Sequence, residues 1–220
     1  MCGIFGSTKF TEYQDLYIKN RDRGQFSYGC LYATKDRKHH TLKHKGVVNL
    51  VPHERFDIVN KCTTFLGHTQ APTSAQREWA EETSHPFKYK DWIIGHNGIL
   101  ENHEELKRTL ALKSANVVDS SIIPEMLYEL GDPDEIRSIS VTFGALKGIF
   151  ACWLYNKATG TTYLVRSGST LYGNVLTGSF SSVKTKGTPT VLDEGIIYRM
   201  SDEGLERVGG FSSKSPFFMI

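Results

Sequence analysis

The order of local patterns constrains this chain most: strand-like segments at both ends and helical ones between them. The opening MCGIFG reads as a short buried strand, with Gly3 and Gly6 around an apolar pair. Residues 11–22 have near-helical spacing of Tyr13, Leu16 and Tyr17, with Thr11 as the expected N-cap. SYGCLYATK and TLKHKGVV alternate around a basic tip, KDRKHH (35–40), and so predict a hairpin with a solvated loop. A short helix is expected over 52–60, opened by Pro52, and a strand over 63–73 running into a proline turn. Residues 74–91 read as polar and irregular, and WIIGHNGIL (92–100) reads as a strand. Helices are expected over 101–112, over 119–131 from an Asp119 cap to Gly131, and over 133–143. Strands follow at 148–156, 161–167, 170–176, 195–201 and 205–211. Strands early, helices in the middle and strands late predict an α+β domain, in which two antiparallel sheets can lie under outer helices.

At 220 residues the chain can bury a substantial core, and one domain over 1–220 is expected. Its 26 basic and 24 acidic residues nearly balance, which argues against a dedicated nucleic-acid surface. No apolar run is long enough to cross a bilayer, and the opening residues do not read as a secretory signal. Cys2, Cys30, Cys62 and Cys152 are scattered, without metal-ligand spacing or a disulfide framework. Cys30, Cys62 and Cys152 are expected in or near the core, and no metal or cofactor is called for. A reducing cytoplasm fits this cysteine usage.

Chemistry can sit at several strand ends. Once Met1 is removed, Cys2 carries a thiol and an α-amine on one carbon, titrating near ~8.5 and ~7.7–8.0 respectively. The amine can then act as the base that frees a thiolate nucleophile. The six opening residues alone fit an ordinary second-position cysteine better, so the rest of the chain must decide. In HNG (96–98), the Asn97 side-chain amide and the Gly98 N–H could hold an oxyanion, although Asn-Gly also closes hairpins. The helical look of the following ENHEEL disfavours the hairpin. GHTQAPT (67–73) offers polar groups to a pocket wall, with His68 also readable as a core histidine. Asp119 reads first as a helix cap.

Taken in order, these segments resemble the glutaminase domain of the class-II glutamine amidotransferases, a branch of the N-terminal-nucleophile hydrolases. MCGIFG resembles the nucleophile strand, RGQFSYG (23–29) the supporting Arg-Gly loop and GHTQAPT the glutamine-binding loop. SHPF (84–87), HNGILEN (96–102) and DSS (119–121) follow as the His-Pro segment, the oxyanion segment and the acidic helix start. The resemblance covers roughly the first six-tenths of the chain. It implies a four-layer αββα sandwich and glutamine as substrate. It also implies Cys2 as nucleophile through a thioester, with Asn97 and Gly98 holding the oxyanion. Asp119 would bind the α-ammonium, Thr73 and His85 would help seat the amino-acid end, and Arg23 and Gly24 would support Cys2.

Gln70 departs from the pattern, because the family usually has Arg there to pair with the α-carboxylate of glutamine. Arg77 or another base could substitute. Otherwise glutamine would bind weakly, or a different amide would be the substrate. A catalytically weak regulatory or binding subunit is a further alternative. Family enzymes usually join this domain to one that consumes the ammonia. A separate acceptor or synthase subunit is therefore expected as partner, with SPFFMI (215–220) a candidate docking segment, and neither nucleic acid nor membrane.

Overall fold

A computed structural model describes residues 2–48, 59–71, 78–114, 118–131 and 134–213. The helix expected over 52–60 lies almost wholly outside these residues, and SPFFMI lies entirely outside them.

Two sheets form the centre. The first contains β1 (Gly3–Ser7), β2 (Ser27–Thr34), β3 (His39–Lys45), β4 (Cys62–Gln70), β9 (Tyr172–Gly173), β10 (Phe180–Ser181) and β11 (Thr190–Val191). Its spatial order is β11-β9-β10-β1-β4-β2-β3, so β1 sits inside the sheet with an antiparallel neighbour on each side. The second contains β5 (Phe87–Tyr89), β6 (Trp92–Leu100), β7 (Gly148–Asn156), β8 (Thr161–Ser167), β12 (Ile196–Ser201) and β13 (Gly204–Gly210), in the order β13-β12-β8-β7-β6-β5.

Period-2 alternation explains how the sheets stack. In β7, Ala151, Trp153 and Tyr155 face the first sheet, while Phe150, Cys152 and Leu154 face the opposite way. Burial on both faces gives GIFACWLYN its nearly continuous apolar run. In β1, Ile4 enters the core between the sheets and Phe5 enters an outer core. That outer core is built against Tyr13, Leu16 and Tyr17 of α1 (Phe10–Asn20). A third core lies under α3 (Ile123–Glu129) and α4 (Glu135–Ala145), through Met126, Leu127, Ile139 and Phe143. Three apolar cores separate four layers, which is the αββα sandwich. Trp153 ties the two sheets directly, its indole N–H donating to the Gly67 carbonyl at 3.0 Å.

Local chemistry moved several boundaries. Thr11 does not cap α1: the cap is Lys9, whose N–H donates to the Ser7 hydroxyl at 3.0 Å. The next helix, α2 (His103–Thr109), is shorter than the 101–112 expected. The segment 119–131 splits into a 3₁₀ turn, Asp119–Ile122, followed by α3, and no side-chain bond caps either. Only Tyr172–Gly173 of 170–176 is strand, and β5 lies within a stretch expected to be irregular. Asp134 caps α4 through the N–H groups of Ile136 and Arg137. Cys30, Cys62 and Cys152 are buried strand residues, as expected. Among the described residues no helix is long and apolar enough to cross a membrane.

Candidate active site

Cys2 stands immediately before β1, half-buried, with its thiol 3.9 Å from the Ala71 carbonyl just beyond β4. β1 and β4 are paired from Gly3–Thr69 onward, so the start of one strand lies beside the end of the other. The 3₁₀ turn Arg21–Arg23 buttresses this corner. Arg23 Nε donates to the Cys2 carbonyl at 2.9 Å, and Phe26 N donates to the Gln70 carbonyl at 2.9 Å. Gly24 is pressed so closely on the same segment that a Cβ there would lie 2.3 Å from the Gln70 carbonyl carbon. Arg23 and Gly24 thus pack behind the residues that carry the thiol and the Gln70 side chain.

β6 of the other sheet brings Asn97 and Gly98 to the same region. Gly98 adopts φ +151, and a Cβ there would stand 2.0 Å from the Ile149 carbonyl oxygen, so only glycine fits. Asp119 divides its carboxylate between its own turn and the end of β6. Oδ2 accepts the Leu100 N–H at 2.8 Å and Oδ1 accepts the Ser120 N–H at 2.7 Å. It therefore fastens the end of β6 to the 3₁₀ turn, a role its expected reading as a helix cap did not include.

His85 is buried and stacks on His68 with ring centroids 3.9 Å apart, its Nε2 lying 3.0 Å from Ser120 Oγ. His68 Nε2 lies 2.8 Å from the His96 carbonyl, across the gap between the sheets. Burial holds His68 down to about 3, only partly offset by that hydrogen bond. The neutral ring must then carry its proton on Nε2, donating to the carbonyl. Of its two readings, His68 fits the satisfied core histidine. Among the described residues no three His, Cys, Asp or Glu side chains are gathered as metal ligands.

One cavity of about 520 Å³ brings much of this together, taking lining from Cys2, Gln70, His85, Gly98 and Asp119. His96 and His103 line it too; neither is assigned a role of its own from sequence, although His96 opens the HNG segment. His96 directly precedes the Asn97-Gly98 pair and His103 opens α2, a helix start with no site pattern of its own. The His96 Nε2 is buried without a partner among the described residues, a cost that a bound molecule could remove. Burial lowers the affinity of His96 for a proton, and the charge of Asp119 works against that shift. Burial also pushes the Cys2 thiol up; a backbone hydrogen bond from Ala71 and the charge of Arg23 oppose the shift, and Asp119 reinforces it. A thiol so placed needs a local base to react at neutral pH.

Gln70 is only 3% exposed, and its amide is largely committed. Oε1 accepts from the Ser27 hydroxyl at 2.9 Å, and Nε2 donates to the Thr83 carbonyl at 3.4 Å. Thr73 and Arg77 lie outside the described residues. Asn97 is as buried as Gln70, is not among the residues that line the cavity, and turns its Nδ2 towards Ser169 and Ser182, two residues with no motif of their own.

No family model matches the chain. It is 28% identical over 189 residues to a glutamine--fructose-6-phosphate aminotransferase [isomerizing] of Halalkalibacterium halodurans, covering 81% of this chain and 31% of that protein. It is 26% identical over 145 residues to a 7-cyano-7-deazaguanine synthase of Sulfolobus acidocaldarius, covering 64% of this chain and 31% of that protein. The chain thus spans about a third of the length of these relatives. In fold it is similar to the glutamine phosphoribosylpyrophosphate amidotransferase of B. subtilis. The TM-score is 0.72 at 19% identity, over 94% of this chain and 49% of that one. A glutamine aminotransferase class-II domain protein from Silicibacter pomeroyi matches with TM-score 0.56 at 12% identity, over 96% of this chain and 99% of that one. In fold the chain is similar to these two structures, and the order of its motifs resembles that of the class-II glutamine amidotransferases.

Proposed function

We propose that the chain hydrolyses the side-chain amide of glutamine and passes the ammonia to an acceptor. The carrying observation is the shared cavity, in which a thiol, a strand glycine and a carboxylate from three separate elements meet. Its volume suits a small amino-acid amide.

In this reading Met1 is released and the α-amine of Cys2 takes the thiol proton. The thiolate attacks the amide carbon of glutamine, and the developing oxyanion is held by Asn97 Nδ2 and the Gly98 N–H. The C–N bond breaks, the α-ammonium returns its proton to the leaving nitrogen, and ammonia departs from a thioester. Water, deprotonated by the same amine, attacks the thioester, and glutamate leaves as the thiol is restored. The Asp119 carboxylate, already oriented by two backbone N–H groups, binds the α-ammonium of the substrate. The His85 ring, held by His68 and Ser120, shapes the wall at the amino-acid end, and Thr73 contributes to the same end. The acceptor chemistry resides in a separate subunit or segment outside these 220 residues, and the setting is a reducing cytoplasm.

The test is the intact mass of the purified chain together with ammonia release from glutamine by wild type and Cys2→Ala. The expected result is loss of Met1 and a turnover that falls by about a thousandfold or more in Cys2→Ala. A retained Met1 with no ammonia released, or turnover indifferent to Cys2, overturns the reading.

A further inference from the structure

Asn97 lies on the face of β6 that looks into the space between the sheets, with Ile93 on the same face. Its Nδ2 is 3.3 Å from Ser169 Oγ and 3.4 Å from Ser182 Oγ. Both serines belong to the strand-rich second half, 72 and 85 residues further along the chain. Ser182 also grips the nucleophile strand. Its N–H donates to the Ile4 carbonyl at 2.8 Å, and its hydroxyl accepts the Ile4 N–H at 3.0 Å. Ser169 is set by Arg166, whose Nε donates to the Ser169 carbonyl at 2.8 Å while its Nη1 donates to Leu192 O. Thr170 Oγ1 donates to the Ser182 carbonyl at 3.3 Å, joining the two serine segments.

We propose that Ser169 and Ser182 are positioning residues that aim the Asn97 amide at the substrate oxygen. The proposal rests on the glutamine-hydrolysis reading above. A carboxamide nitrogen has two hydrogens. In this proposal the two serine oxygens share one hydrogen as a three-centre bond, which leaves the other in a fixed direction for an oxyanion. The terminal torsion of asparagine is broad and roughly two-fold, so without the serines the group can turn over and present its oxygen instead. An acceptor against an oxyanion repels where a donor should attract. Ser182 adds a metric role. One oxygen atom touches both Asn97 and the backbone two residues after Cys2, so it sets the spacing between the nucleophile strand and the oxyanion strand.

The test is a set of cycles on the full chain with Ser169→Ala, Ser182→Ala and Asn97→Ala, reading kcat and KM for glutamine separately. Each serine variant should lower kcat about tenfold, less than outright loss of an oxyanion donor, and leave KM within about twofold. In the Asn97→Ala background Ser169→Ala should cost nothing further, Ser182→Ala should keep only the part that its bond to Ile4 N carries, and in the otherwise unchanged chain Ser169→Thr should restore kcat. A Ser169→Ala loss that multiplies in that background, or serine losses that appear in KM alone, overturn the proposal. Ser182→Ala also removes the partner of Ile4 N. If that variant does not fold, Ser169→Ala and Ser169→Thr carry the test.

A second readout needs no turnover. The side-chain amide ¹⁵N–¹H signals of Asn97, identified by their loss in Asn97→Ala, should move in Ser169→Ala and return in Ser169→Thr. Unmoved signals refute the positioning role. Signals that move in a protein releasing no ammonia from glutamine refute the hydrolysis reading while leaving the positioning in place.

Discussion

The first 120 residues contribute every described side chain that lines the cavity, and the strands after residue 148 contribute none. The two regions nonetheless meet at Asn97, which is carried by the first and held by Ser169 and Ser182 from the second. Cavity-lining groups are concentrated where the chain bears motifs. Arg23, Gly24 and Ser120 brace their neighbours from within that region, whereas Ser169 and Ser182 hold Asn97 from segments whose sequence reads only as strand. The lining thus comes from one stretch of chain, and part of the bracing comes from the other.

The largest effect that tests this division is at Trp153. The ring is fully buried between the sheets and its N–H is bonded to the Gly67 carbonyl, yet it does not line the cavity. Trp153→Ala should cost about 3–5 kcal/mol of stability in urea unfolding. Trp153→Phe keeps most of the packing and strands the Gly67 carbonyl, for a smaller loss of about 1–3 kcal/mol. The folded Phe variant should keep KM for glutamine within about twofold, as expected of a residue that packs without binding. A changed KM would show that the second region reaches the substrate, and the division would fail.

The same division explains what the sequence made legible. β6, β7 and β8 could be read at their observed limits because each is a long run in which both faces are buried. β9, β10 and β11 have two residues each, too few for any periodicity to register. The capping errors share one cause. Thr11 and Asp119 are good caps by residue type, but the chain places the α1 cap two residues earlier, at Lys9, and commits Asp119 to Leu100, 19 positions away. Cys2, Gln70, His85, Gly98 and Asp119 could be singled out because their segments carry recognisable patterns, and they line one cavity. Ser169, Ser182 and Arg166 could not be singled out, since their partners are distant in sequence and a serine after a strand is unremarkable.

A smaller effect concerns acid. His68 has an ordinary value of 6.5 and is held down to about 3 in the fold. Below 6.5 the unfolded chain takes up a proton that the folded chain refuses, so stability is fully present above 6.5 and is lost as pH falls towards 3. The slope approaches about 1.4 kcal/mol per pH unit, or about 2 kcal/mol by pH 5. His96 is shifted in the same direction and adds to the loss. Unfolding free energies from pH 7 to pH 4.5 should show this decline, and His68→Gln should flatten it by about one proton. An unchanged slope would mean that His68 is not the buried neutral strut between β4 and β6, and that the first region does not brace itself there.

The smallest effect is at Gln70, where the motif-bearing region departs from its own pattern. Its Oε1 is occupied by Ser27 and one Nε2 hydrogen points at Thr83, so one N–H remains for a substrate carboxylate and no charge comes with it. A bidentate guanidinium at this position would add a charge-assisted contact worth about 1.5 kcal/mol or more, since hydrogen bonds to charged groups fall near 1.5–3 kcal/mol. Gln70→Arg should therefore lower KM for glutamine about tenfold with kcat little changed, because the contact is the same before and during reaction. The longer side chain must leave Ser27, a cost that a parallel Ser27→Ala variant measures separately. If Gln70→Arg leaves KM unchanged or raises it while Ser27→Ala is neutral, the missing charge does not limit glutamine binding. The substrate is then an amide whose far end carries no carboxylate to be met at Gln70.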